Sequence, residues 1–201
     1  MKRLIIILSI ILLSTFSFSQ NEGSCLPDGI TFTTQEEIDN FQTNYPDCDE
    51  IEGDVTIGYD INNLNGLNVI TSIGGNLWIA YCDSLLSLMG LENLTDLGGY
   101  LRITENNTLK SLSGLDNLHS IGGTLLIESN DSLKSLNGLG SLDTIWGSLE
   151  VNNNYALISI ENLDGISYIG YSVEISGNHA LTSLNGLEWI TAIDGRLQIS
   201  H

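Results

Sequence analysis

From Gly75 onward the chain repeats itself every 24 residues without a slip. The copies read GNLWIAYCDSLLSLMGLENLTDLG, GYLRITENNTLKSLSGLDNLHSIG, GTLLIESNDSLKSLNGLGSLDTIW, GSLEVNNNYALISIENLDGISYIG and YSVEISGNHALTSLNGLEWITAID, and GRLQISH opens another at Gly195. A 22-residue copy, GDVTIGYDINNLNGLNVITSIG, precedes them from Gly53, with its deletion between Ile57 and Leu64. A fixed period in this range marks an architecture of stacked coils. The expected units are 53–74, 75–98, 99–122, 123–146, 147–170, 171–194 and a partial 195–201.

Seven columns are apolar in every complete 24-residue copy; in the second unit they are Leu77, Ile79, Leu85, Leu88, Leu91, Leu94 and Leu97. Leu77 and Ile79 alternate with polar neighbours, the period of a half-buried strand, whereas the later columns step by three and suit short turns. No stretch of the repeat sustains a helical pattern long enough for a helix. A single coil has too little apolar surface to fold alone, so stacking with ladder hydrogen bonds between coils is required. A mainly β, parallel β-helix-like solenoid is the expected fold.

One polar column runs through this apolar pattern. Asn106, Asn130, Asn154 and Asn178 recur 24 apart, just after each strand, with Cys82 at the equivalent place one unit earlier. An inward Asn can bond the backbone of its own corner and of the adjacent coil. Cys82 therefore reads as a buried core thiol, with no cationic neighbour to activate it. Glycines at 75, 99, 123 and 195 mark one tight turn, departed from by Tyr171. Those at 90, 114, 138 and 186 mark another, departed from by Asn162.

The N-terminal fifth is different. Residues 1–19 read as a secretory signal peptide: Lys2 and Arg3, an apolar run from Leu4 to Leu13, and small residues Ser17 and Ser19 before a cut at Gln20. Residues 20–52 read as a capping segment, in which Thr34-Gln35-Glu36-Glu37 opens a helix over about 34–45 that covers the first coil. Cys25, Cys48 and Cys82 allow three pairings in an oxidising compartment. Cys25–Cys48 is the expected one, because these two bracket a compact segment and the repeat already accounts for Cys82. The chain stops within a strand at Ser200-His201, which reads as part of a longer protein.

The L-x-I-x-x-N-x-x-L segment is similar to the leucine-rich-repeat motif, and the whole pattern resembles the receptor L-domain family more closely. Cys48-Asp49-Glu50-Ile51-Glu52-Gly53-Asp54-Val55-Thr56-Ile57 matches that family's opening, a cysteine followed by I-x-G-x-L-x-I. The regular 24-residue form, rich in SIGG and SLxGL, resembles surface proteins secreted by Bacteroidetes bacteria. The resemblance implies a right-handed β-helix-like solenoid, pairing of Cys48 with an upstream cysteine, and an extracellular ligand-binding role. It transfers no contact residues.

Charge narrows the partners. Six Lys and Arg face 25 Asp and Glu, a formal net of −19, which repels nucleic-acid phosphates and anionic lipid surfaces. Catalytic motifs are absent: no G-x-S-x-G, H-E-x-x-H, C-x-x-C or phosphate loop. His119, His179 and His201 fall in different columns and read as solvated turn residues. The acidic turns Glu105-Asn106-Asn107 and Glu128-Ser129-Asn130-Asp131, and Asp60 with Asn62, allow at most weak surface calcium; no other cofactor or metal is expected. Sequons at Asn93, Asn106 and Asn130 are unpersuasive as glycan sites, since two of them fall in the ladder.

Between the inward strand positions lies an outward column: Thr56, Trp78, Arg102, Leu126, Glu150, Glu174 and Gln198. At strand spacing these form a strip of about 29 Å. Trp78, Arg102 and Leu126, extended by Tyr81, are the candidate binding residues, being of types found in interface hot spots or apolar patches. Arg102 has two local roles open to it, neutralising Glu150 or lying over Trp78. The expected function is a secreted or surface interaction module for an extracellular protein or glycan. The alternatives are a structural spacer and, more remotely, a polysaccharide-degrading enzyme.

Overall fold

The computed structural model describes residues 23–188, 190 and 193–200; the expected signal peptide, Trp189 and His201 lie outside the described residues. The fold is a mainly β solenoid of about seven turns. Each 24-residue coil gives four residues to a broad sheet, as in Leu77–Ala80, Leu101–Thr104 and Leu125–Glu128. Two more residues go to a narrow sheet, as in Asp96–Leu97 and Ser120–Ile121. The broad sheet has eight strands and the narrow one seven, all parallel to their neighbours. The 24-residue period becomes the register: Leu101 pairs with Leu77 and Leu125, and Ser120 with Asp96 and Thr144.

Between the sheets runs one continuous core. Leu77, Ile79, Leu85, Leu88, Leu91, Leu94 and Leu97 are each at most 1% exposed, so the seven columns are the interior. On the third side the chain turns tightly at Gly90, Gly114, Gly138 and Gly186, whose φ values of 106–114° only glycine adopts freely. Asn162 replaces that glycine where the turn becomes a 3₁₀ helix, Glu161–Leu163, which needs no positive φ.

The Asn column forms a buried ladder. Asn130 Nδ2 donates to Ile103 O at 2.9 Å, Glu128 O at 3.1 Å and Asn154 Oδ1 at 3.2 Å. Its Oδ1 accepts from the backbone N–H of Asn106 at 3.1 Å and from Asn106 Nδ2 at 3.2 Å. Asn106 in turn accepts the backbone N–H of Cys82 at 3.0 Å. The ladder ends there. The shortened first coil puts Ile61, fully buried, at its own corner, so position 82 needs no amide. Burial and the nearby Asp83 push the Cys82 thiol up to about 12, which makes it chemically quiet.

At the same corner the backbone is strained. Tyr59, Tyr81, Glu105, Ser129 and Asn153, one per coil, all have φ between 55° and 67°, and Gly177 continues the column at 66°. This left-handed residue turns the chain so that the following ladder residue points inward. The sequence carries no glycine signal for it except at Gly177.

The N-terminal segment adds strands as well as helix. Ile30–Thr34 pairs with Val55–Asp60 in the broad sheet, and Ser24–Cys25 and Glu50–Ile51 extend the narrow one. The capping box at Thr34 is formed, with Glu37 accepting the Thr34 N–H at 3.0 Å. Instead of one helix over about 34–45 there are two, Gln35–Asp39 and Phe41–Asn44, broken at Asn40. The break leaves Ile38 and Phe41, both fully buried, packed on the same core. Cys25 and Cys48 are disulfide-bonded, with Cα atoms 5.6 Å apart, and Cys82 is the free cysteine.

Candidate ligand-binding face

The outward column of the broad sheet is in register as the repeat requires: Thr56, Trp78, Arg102, Leu126, Glu150, Glu174 and Gln198 each pair with the next. These side chains are half-buried rather than freely exposed, Leu126 included. The reason is spacing: neighbours about 4.8 Å apart in a parallel ladder shade one another.

Two of the candidate residues are in direct contact. The Arg102 guanidinium carbon lies 5.2 Å from the Trp78 ring centroid, within cation–π range. Trp78 is itself held, its Nε1 donating to Thr104 Oγ1 at 3.1 Å. Arg102 Nε is buried against the sheet with no acceptor. Leu126 stands between Arg102 and Glu150 in the register. Glu150 is held above the usual carboxylate range, first by burial and then by Glu174 and Glu128. Of the two roles open to Arg102, the structure forms the contact with Trp78; Leu126 separates it from Glu150.

Arg102 and Leu126 also line an open groove of about 410 Å³ with Asn76, Gly99, Tyr100, Leu101, Gly123 and Thr124. Asn76, Tyr100 and Thr124 carry no signal in the sequence that marks them as binding residues. Their column varies from coil to coil, and only its place beside the glycine corner makes it a wall. Tyr81 is separate from the groove. It lies past the strand end, 52% exposed, stacked on Tyr59 at 6.5 Å between centroids.

The other candidates are placed as follows. Asn106 and Asn130 are fully buried, with their side-chain amides engaged in the ladder, so neither is free to hold calcium or a glycan. Glu105 and Asp131 are exposed beside them. Asn93 is exposed and donates to Asn68 O at 2.6 Å. His119 and His179 are exposed, His179 stacked on Tyr155. Among the described residues no three His, Cys, Asp or Glu side chains converge, and no helix is long and apolar enough to cross a membrane.

Residues 95–171 match the family model of the Receptor L domain. That family consists of non-enzymatic, ligand-binding extracellular modules. The match begins one residue before the narrow-sheet strand Asp96–Leu97 and ends at the Tyr171 corner, while the same strand register continues on both sides of it. Arg102 and Leu126 lie inside the matched span; Trp78 and Tyr81 lie before it. No curated protein and no solved structure matches the chain.

Proposed function

We propose that this protein is an exported, non-catalytic interaction module that binds an extracellular protein or glycan on its broad-sheet face. The observation carrying this reading is Arg102. It is one of only six basic residues in a chain with 25 acids, yet it is fixed over Trp78 at the rim of a groove with its Nε unpaired. A half-buried guanidinium held in place over a ring offers its remaining N–H groups to an acceptor brought from outside. Export is supported by the leader-like residues 1–19 and by the Cys25–Cys48 disulfide, a bond of oxidising compartments.

The test is a screen of the mature protein against glycans and extracellular proteins, repeated with Trp78→Ala and Arg102→Ala. Each variant is expected to lose retention of the ligand while melting within a few degrees of the parent. A ligand whose binding ignores both substitutions would overturn the assignment of this face. A protein that retains nothing in either screen would instead be a spacer.

A further inference from the structure

Two glycine columns run along the corner between the sheets: 74, 98, 122 and 170 in one, and 75, 99, 123, 147 and 195 in the other. The second is tied coil to coil by backbone bonds, Gly99 to Gly75 and Gly123 to Gly99 at 2.8 Å and Gly147 to Gly123 at 2.9 Å. Adjacent coils approach so closely here that a side chain is costly. A Cβ on Gly98 or Gly122 would strike the carbonyl of the preceding coil's glycine, and one on Gly99 would lie 2.7 Å from Gly75 O.

The second column has one exception; the first is broken by Glu52, Trp146 and Asp194, of which Trp146 is the aromatic one and the neighbour of the exception in the second. Trp146 interrupts the first and Tyr171 the second, and the Tyr171 N–H donates to Gly147, the residue bonded to Trp146. Trp146 is 58% exposed and Tyr171 65%; Tyr168, 42% exposed, meets the Trp146 ring edge-on at 5.4 Å. Large aromatic groups thus occupy a corner that is mostly glycine, and with rings this exposed they add little to the core. That is the mark of an interaction patch.

This aromatic patch adjoins the glycine corner that floors the groove. The groove floor is Gly99 and Gly123; Gly147 is the next coil's residue on that line, and Trp146 stands beside it in the neighbouring column. The lining selects the ligand by charge. Apart from Arg102 it is uncharged, and Asn76, Tyr100 and Thr124 offer amide and hydroxyl groups that both donate and accept. A polyanion is repelled by a chain of net charge −19, and a basic peptide finds no carboxylate in the groove lining. A neutral polyol satisfies the lining, and the apolar ring faces of sugars suit exposed aromatic rings.

We propose that this glycine-floored corner is a track for an uncharged oligo- or polysaccharide lying along the solenoid, gripped at one end by Trp146, Tyr168 and Tyr171. It rests on the reading of the groove as a binding surface and narrows the ligand. The experiment is affinity electrophoresis of the mature protein in gels containing a soluble β-glucan, a mannan or an arabinoxylan, with poly-lysine binding measured in parallel. Retardation is expected in at least one neutral gel, weakened at least about ten-fold in Trp146→Gly and in Tyr171→Gly. Both variants restore the residue that other coils carry and remove exposed rings, so their thermal midpoints should fall by no more than a few degrees; Trp146→Phe, which keeps a ring, should keep most of the binding. Absence of retardation in all three gels overturns the proposal, as does retardation indifferent to both glycine variants. Poly-lysine binding that depends on Trp146 would replace it with a basic partner. A protein ligand lost with Trp78→Ala or Arg102→Ala, alongside silent glycan gels, would sink the glycan track and leave the sheet-face reading standing.

Discussion

Replacing Asn130 by Ala tests the ladder at its centre. The change removes an amide that makes five hydrogen bonds, three through Nδ2 and two through Oδ1. Glu128 O keeps a partner, because it also accepts the Glu105 N–H at 3.1 Å. The Asn106 N–H does not: it is buried, and its acceptor was Asn130 Oδ1. An orphaned buried donor costs about 1–3 kcal/mol, and the lost bond to Ile103 O adds about 1 kcal/mol, so the expected destabilisation is about 2–4 kcal/mol. Asn130→Asp should be at least as severe. It keeps the acceptor but sets a carboxylate oxygen against Ile103 O, Glu128 O and Asn154 Oδ1, all of them acceptors. Asn137→Ala is the control. That residue is exposed and its one side-chain bond, to Ser113 Oγ, is 3.4 Å long, so its loss should cost under about 0.5 kcal/mol. Urea melts with a shared slope measure all three. Equal losses at positions 130 and 137, or a benign Asn130→Asp, would refute the ladder as the source of stability.

Glu105→Gly relieves a left-handed residue at φ 58° but frees the unfolded chain, and should raise stability by up to about 1 kcal/mol in the same melts. Loss of stability there would mean that the strained corner is held by the Glu105 side chain. Glu150→Gln should raise the melting midpoint at pH 7. Burial, Glu174 and Glu128 hold the folded-state pKa of Glu150 above its unfolded value, so stability falls as pH rises through that interval and stays lower above it. The gain from Gln should vanish once the pH is below the ordinary carboxylate range, and a gain of the same size at low pH would contradict the electrostatic cause.

Much of this architecture is visible in the sequence because each column has one physical duty. Leu85, Leu88 and Leu91 recur because every coil fills the same interior, and Asn106 and Asn130 recur because every corner has the same unpaired groups to satisfy. The left-handed column escapes notice since Tyr81, Glu105, Ser129 and Asn153 share a backbone angle and no side-chain chemistry. The N-terminal strands escape it too: Ile30–Thr34 has no copy of the repeat motif, and only its pairing with Val55–Asp60 makes it part of the sheet. The groove is legible by halves. Arg102 and Leu126 follow from strand alternation, but Tyr100 and Thr124 become walls only when two glycine corners stack beside them.

Departures from a column therefore divide by whether packing explains them. Cys82 replaces Asn where the ladder runs out, and Asn162 replaces Gly where a 3₁₀ turn removes the need for positive φ; both are consequences of the fold. Trp146 and Tyr171 stand in columns where Gly98, Gly122 and Gly99 have no room for a Cβ, and their rings project into water. A solenoid of near-identical coils reaches its stability by keeping its columns. An aromatic departure that brings the core so little, placed beside another of the same kind and next to the glycine corner of a groove, points outward to a ligand.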